Sequence, residues 1–379
     1  MTDLELVGAE VLRPEGMVQG PLLVKDGVIA AAGRGRQVDL SGYRILPGIV
    51  DLHGDGFERH LAPRRGAMKN LGDGLASVDA ELAANGITTA VLAQFWSWEG
   101  GMRSPEFARR FLDALSQTEG LLTEMLVQLR FESHLLSDYA AFEAAVQAHA
   151  VPYVVFNDHL PHAALDKGKK PPRLTGQALK SGRSPEAHLA LLKELHAARD
   201  AVPEAVAKLA TRLAAQDVRL GSHDDDTAQA RDFWRARGLT ISEFPESLDA
   251  ARSAHAAGDP VIMGAPNVVR GGSHSGKVSA ADLVAKGYVD ALASDYHYPA
   301  PRQAVMRLVA DGVCDLAAAW ALVSARPAQV LGLTDRGSLE AGKRADLVVM
   351  GPDGRIGATL VAGKVSHMSG TVAARFMAG

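Results

Sequence analysis

Four apolar runs in this chain each close in a residue able to hold a cation, and that recurrence limits the fold more than any other feature. The first is Leu46-Pro47-Gly48-Ile49-Val50-Asp51-Leu52-His53-Gly54-Asp55, which reads as a buried strand entered through Pro-Gly. Strand side chains alternate faces, so His53 and Asp55, two apart, project the same way. An imidazole and a carboxylate on one strand end can hold a single divalent cation. The same pair also suits an ordinary strand-to-loop turn, where Gly-Asp-Gly is common. The run from Pro152 to His159, the run from Val218 through His223 to Asp224-Asp225-Asp226, and the run from Val289 to Asp295 repeat the pattern.

Short buried strands alternating with longer helical stretches indicate a parallel sheet covered on both faces. In its closed, (β/α)8 form, a TIM-like barrel, active-site residues lie at the carboxyl ends of several strands. His53, Asp55, His159, His223 and Asp295 all fall at such ends. Strands are expected near 48–53, 87–93, 125–133, 152–158, 217–223, 239–244, 260–264 and 289–295, with helices between them, for example over 75–84 and 251–257. Before and after this central part, spanning 46–334, the pattern changes to short strands and turns. Strands are expected at 4–11, 17–24 and 28–31, and again at 345–350 and 356–361. The two ends, 1–45 and 335–379, are therefore expected to form one small β-sandwich domain.

Composition excludes several classes. Hydrophobic residues make up 47% of the 379, enough for a large core and against disorder. The formal charge is −4, so broad attraction to nucleic acid is not expected. Cys314 is the only cysteine, which rules out an intramolecular disulfide and a zinc–thiolate site. It falls in a stretch read as helical, 313–324, as a small buried apolar residue. No apolar run reaches the ~18 residues of a membrane span, and the N-terminus lacks a basic, apolar signal region. A soluble cytoplasmic protein, with no membrane partner and forming a homo-oligomer, is expected.

One connection is unusually long. Between the fourth and fifth strands its latter part, 185–215, reads as a long helix. Its first part, from Lys167 to Arg183, carries six cations (Lys167, Lys169, Lys170, Arg173, Lys180 and Arg183) and no anion. Such a run is either a solvated surface or, since it leaves a strand just after a candidate ligand, a clamp for an anionic substrate.

The run from Ile45 to His53, paired with Gly337-Ser338-Leu339-Glu340-Ala341-Gly342-Lys343-Arg344-Ala345-Asp346-Leu347-Val348, resembles the amidohydrolase superfamily. That resemblance covers nearly the whole chain. It implies a metal-dependent hydrolase with a (β/α)8 barrel and a β-domain made from both chain ends. A narrower resemblance is carried by Asp51-Leu52-His53-Gly54-Asp55 with Glu58-Arg59-His60-Leu61 and Pro63-Arg64. The segment from Gly264 through Asn267, Arg270, Ser273 and His274 to Gly276, and Ser294-Asp295-Tyr296, complete it. These are similar to the triphosphate diphosphatases of the carbon–phosphorus lyase pathway. That family hydrolyses α-D-ribose 1-methylphosphonate 5-triphosphate to the 5-phosphate and pyrophosphate.

The resemblance implies one or two divalent ions (Zn, Mn or Fe) held by His53, Asp55, His159, His223 and Asp295, with Asp295 also the general base. The first strand departs from the superfamily's His-x-His, giving His53-x-Asp55 as the narrower family does. The superfamily's bridging carboxylated lysine has no counterpart, because neither 125–133 nor 152–158 contains a lysine. Glu132 is the candidate replacement; the alternative is pairing with Arg130 or solvent. Lys167, Lys169, Lys170, Arg173, Arg64, Asn267, Arg270, Ser273 and His274 are the candidate contacts to a small-molecule triphosphate. Asp224 and Asp225 either orient ligands from behind His223 or cap the helix that follows. His297 either meets substrate or is an exposed polar residue. His60, His134, His149, His162, His188, His196, His255 and His367 are read as structural or surface residues. Two other readings stand beside this one: a hydrolase of a cyclic amide or N-acyl group, and a non-catalytic assembly protein on the same fold.

Overall fold

The computed structural model describes residues 3–62, 70–272 and 277–378; Arg64, Ser273 and His274 lie outside the described residues. Eight parallel strands follow one another in chain order with helices between most of them: β1 (Ile49–Gly54), β2 (Ile87–Trp96), β3 (Glu124–Glu132), β4 (Tyr153–Asn157), β5 (Arg219–His223), β6 (Ile241–Glu243), β7 (Val261–Gly264) and β8 (Ala291–Ala293). All eight expected strands are present. The whole of β1 and β2 is buried, as strands covered on both faces must be.

The chain divides into two compact units, one of 1–92, 118–126 and 260–379, the other of 93–117 and 127–259. In the first unit β1 pairs with β2 from Ile49–Ile87 to Gly54–Leu92, and β7 pairs with β8. A parallel bridge between Gly54 and Asp295 brings the last strand of the series beside the first. That meeting of first and last strands is the connectivity of a (β/α)8 barrel. In the second unit β3, β4, β5 and β6 pair in succession.

The first unit also holds both terminal sheets. One sheet has the order Lys364–Met368, Ile356–Val361, Leu347–Met350, Arg44–Pro47, Glu10–Arg13, Gly16–Gln19; the other has Val28–Ala30, Leu22–Lys25, Leu4–Val7, Arg36–Asp39. Leu347–Met350 runs antiparallel to Arg44–Pro47, joining the two chain ends. Leu6, Val24 and Ile29 of one sheet share a buried cluster with Ile45, Leu347 and Leu360 of the other. Burial of such side chains is worth about 1.5–3 kcal/mol each.

Three expectations need correction. The runs 4–11 and 17–24 are each two strands. Gly8 breaks the first at φ +78°, where an added Cβ would lie 2.3 Å from Ser41 Oγ. Pro21, with no N–H to donate, interrupts the second. The helix expected over 185–215 is two, Pro185–Ala197 and Val202–Ala214, joined by a 3-10 turn at Arg199–Ala201. Pro203 cannot continue a helix from upstream, because its ring clashes with the carbonyl four residues back. Finally, Cys314 precedes its helix: Asp315 Oδ1 accepts from Ala318 N at 2.8 Å and starts Leu316–Ala321, leaving Cys314 only partly buried. Among the described residues no helix is long and apolar enough to cross a membrane.

Candidate active site

In the first unit the site is built on the end of β1. His53 is fully buried and Asp55 half-buried. Asp295 is stitched to that strand end on both sides. Its N–H donates to the His53 carbonyl at 2.9 Å, and its own carbonyl accepts from Asp55 N–H at 2.9 Å. This seating requires the left-handed backbone, φ +56° at Asp295, a conformation aspartate tolerates better than most side chains. Three residues named from the sequence are thus held together by main-chain bonds, independent of how their side chains turn.

Behind them lies a buried pair that the sequence reading did not single out. Asp51 accepts from Ser294 N–H at 2.8 Å and from Ser294 Oγ at 2.5 Å. Burial pushes the Asp51 carboxyl up to about 6, although the Ser294 hydrogen bonds and nearby His53 work the other way. Gly54 lets these groups approach: a Cβ there would lie 2.8 Å from Ser294 Oγ and Tyr298 Cε1 and 2.9 Å from Asp51 Oδ2.

In the second unit the ends of β3, β4, β5 and β6 present two histidines in one arrangement. His159 Nδ1 meets the fully buried Glu132 Oε1 at 2.5 Å, while Glu132 Oε2 accepts from His159 N–H at 3.2 Å and Trp98 Nε1 at 3.3 Å. Burial opposes charge on this imidazole, but the Glu132 carboxylate outweighs it and holds His159 above its ordinary value. His223 Nδ1 meets Glu243 Oε2 at 2.8 Å, and Arg130 Nη2 donates to His223 Nε2 at 2.7 Å. Burial, reinforced by Arg130, keeps His223 below its ordinary value and so neutral. In both cases a buried carboxylate on Nδ1 sets the orientation of the ring, the usual arrangement behind a metal-binding imidazole. In His159 this turns Nε2 toward other ligands, whereas Nε2 of His223 accepts from Arg130, which a cation there would displace. The donor set therefore fits a divalent cation. Glu132 engages His159 with both oxygens rather than Arg130.

Glu243 is the functional candidate that sequence reasoning missed. It is fully buried, and its second oxygen accepts from Gln128 Nε2 at 2.8 Å and Tyr153 Oη at 3.3 Å. The available signal was a carboxylate closing the expected strand Leu239-Thr240-Ile241-Ser242-Glu243, although this run alternates apolar with polar residues where the other strands are more continuously apolar.

The remaining candidates separate by environment. Asp225 is buried against Ser222 Oγ at 2.6 Å and Arg231 Nη1 at 3.2 Å. Asp224 sits at φ +60° with its carboxylate 3.6 Å from His223 Nε2. The helix that follows is capped by Thr227, whose Oγ1 accepts from Ala230 N, so neither aspartate is the cap. Asn267 binds the backbone at Val278 and Ala280 with its two side-chain polar atoms, and Arg270 donates to Tyr296 Oη. His297 is half-buried. Lys167, Lys169, Lys170, Arg173 and Lys180 are exposed around the short helix Leu174–Ser181, whereas Arg183 is tied to the Trp98 carbonyl at 2.7 Å.

Comparison with known proteins identifies the family and the fold. A profile of the amidohydrolase family matches residues 81–355. The alpha-D-ribose 1-methylphosphonate 5-triphosphate diphosphatase of Escherichia coli (strain K12) is 35% identical over 354 residues, covering 88% of this chain and 91% of that protein. The solved N-acetyl-D-glucosamine-6-phosphate deacetylase from Mycobacterium smegmatis matches at 18% identity and TM-score 0.62, covering 96% of this chain and 100% of that one. A dihydropyrimidinase from Brevibacillus agri matches at 13% identity and TM-score 0.54, covering 96% of this chain and 94% of that one. At such low identity the two structures bear on the fold alone.

Proposed function

We propose, from the premise that this chain belongs to the amidohydrolase family, that it is a metal-dependent hydrolase of α-D-ribose 1-methylphosphonate 5-triphosphate, releasing the 5-phosphate and pyrophosphate. The relative from Escherichia coli carries that activity in its name. The observation that carries the chemistry is the double main-chain seating of Asp295 between His53 and Asp55.

His53, Asp55, Glu132, His159, His223 and Asp295 are the residues proposed as ligands of one or two divalent ions (Zn, Mn or Fe). Glu132 and Glu243 set the tautomers of the histidines they touch. A bound ion would supply Lewis-acid polarisation of a phosphoryl oxygen and acidify water. Asp295 takes the proton from the attacking water. The water oxygen bonds to the α-phosphorus as the bridge to the β-phosphorus breaks, and the bond's electrons leave with pyrophosphate. Lys167, Lys169, Lys170 and Arg173 stabilise that leaving charge as it develops.

The test is incubation of the metal-loaded chain with the ribose triphosphate and, separately, with N-acyl and cyclic amide substrates. Pyrophosphate release is expected. Orthophosphate as the first product, or amide cleavage in place of pyrophosphate release, would contradict the reading.

A further inference from the structure

Three of the histidines read from the sequence as structural are gathered in the second unit, at the root of the basic segment. His134 follows β3, Asp158 follows β4, and His162 opens the short helix His162–Asp166. One donor atom each from His134, Asp158 and His162 lie within 4.8 Å of one another. His134 Nδ1 is 3.4 Å from Asp158 Oδ1, and His162 Nε2 is 3.0 Å from Asp158 Oδ2. The cluster then continues: His162 Nδ1 lies 2.8 Å from His196 Nδ1, and His196 Nε2 lies 2.9 Å from Asp166 Oδ1.

Counting protons shows what this chain of contacts lacks. The contact of His162 Nε2 with Asp158 needs a proton, as does that of His196 Nε2 with Asp166. The close approach of the two Nδ1 atoms needs a third. Two neutral imidazoles supply only two. The cluster is therefore satisfied only with one added positive charge. The hydrogen bond to Asp158 favours it on His162, against burial and the Arg199 guanidinium, whose Nη1 lies 3.4 Å from His196 Nε2. That charge is either a proton or a cation in its place. His134 is buried while the side chains of Asp158 and His162 are 32% and 30% exposed, so a cation can reach the cluster from solvent.

We propose that His134, Asp158 and His162 form a second divalent-metal site, sharing no ligand with the strand-end set. Two imidazoles and a carboxylate without thiolate suit Zn2+ or Co2+. An ion there would tie the start of the segment bearing Lys167, Lys169 and Lys170 to the ends of β3 and β4. Because the ion competes with protons for the same nitrogens, its affinity falls as pH falls.

The test is equilibrium dialysis of the full chain against Zn2+ or Co2+, with bound metal measured by mass spectrometry. Wild type, His162→Ala, Asp158→Asn and His223→Ala are compared, each checked for its fold by circular dichroism. The expected result is that His162→Ala and Asp158→Asn each bind one equivalent less than wild type. His223→Ala, which disturbs the strand-end set, keeps that equivalent, and the equivalent is lost on acidification. If His162→Ala misfolds, His162→Asn keeps size and polarity and carries the same expectation. Folded His162 and Asp158 variants holding as much metal as wild type would overturn the proposal, leaving the proton as the cluster's cation and the strand-end reading untouched.

Discussion

Asp51 receives both the N–H and the hydroxyl of Ser294, at 2.8 and 2.5 Å, and so ties the residue before Asp295 to the strand that carries His53. The arrangement titrates. Burial raises the Asp51 carboxyl from 3.8 in the unfolded chain to about 6. For a group whose folded value is raised, the stabilising contribution is complete below the unfolded value and is lost as pH rises through the folded one. At neutral pH the buried carboxylate then costs ~3 kcal/mol relative to acid conditions. Asp51→Asn removes this dependence, so the metal-free variant should show a flatter stability curve than wild type between about pH 4 and 7. Urea unfolding across that range is the check; equal slopes would contradict it.

Gly54 is required by the same contacts. Gly54→Ala places a Cβ 2.8 Å from Ser294 Oγ and Tyr298 Cε1, an overpacking expected to cost about 1–3 kcal/mol. Gly264→Ala, at the end of β7, meets nothing closer than 3.7 Å, the Asp295 carboxylate, and should leave the unfolding midpoint nearly unchanged. Comparable losses in both variants would show that the close approach at Gly54 is not what matters.

The barrel was legible in the sequence because its strands are buried on both faces and so appear as apolar runs. The placing of the candidate residues at strand ends was legible because those runs end in His53, His159, His223 and Asp295. What stayed hidden depended on contacts between strands. Glu243 looked like any acidic residue until its run was seen to end beside His223. Asp51 read as part of an apolar strand, with its partner Ser294 distant in the chain. The strand at Arg36–Asp39 has one apolar side chain, Val38, and gave no alternating signal. The break at Arg199–Ala201 rests on one proline, Pro203, within an otherwise continuous helical pattern.

Glu243 should matter for metal rather than for fold. Glu243→Gln keeps the shape but removes the charge that orients His223 through Nδ1, so affinity for a divalent ion should fall about 10–100-fold. Glu243→Ala also strands Gln128 and Tyr153 and should destabilise the chain by ~1–3 kcal/mol in addition. Calorimetric titration of metal into each variant separates the two effects. Wild-type affinity in Glu243→Gln would remove Glu243 from the site.

The exposed lysines should act on binding. Replacing Lys167, Lys169 and Lys170 together by Gln should raise KM for the triphosphate several-fold with a smaller effect on kcat, and the difference should shrink at high salt. Steady-state kinetics at two ionic strengths is the measurement. Unchanged KM at both would make the run an ordinary solvated surface.

The bond that breaks tests the account most directly. Hydrolysis of the ribose triphosphate in isotopically labelled water should place the label in the 5-phosphate product and none in pyrophosphate, because in the proposed mechanism the water attacks the α-phosphorus with Asp295 taking its proton. Asp295→Asn should lose most of kcat while still folding. Label recovered in pyrophosphate would contradict the account even if pyrophosphate were the product, since it would place the attack at the β-phosphorus.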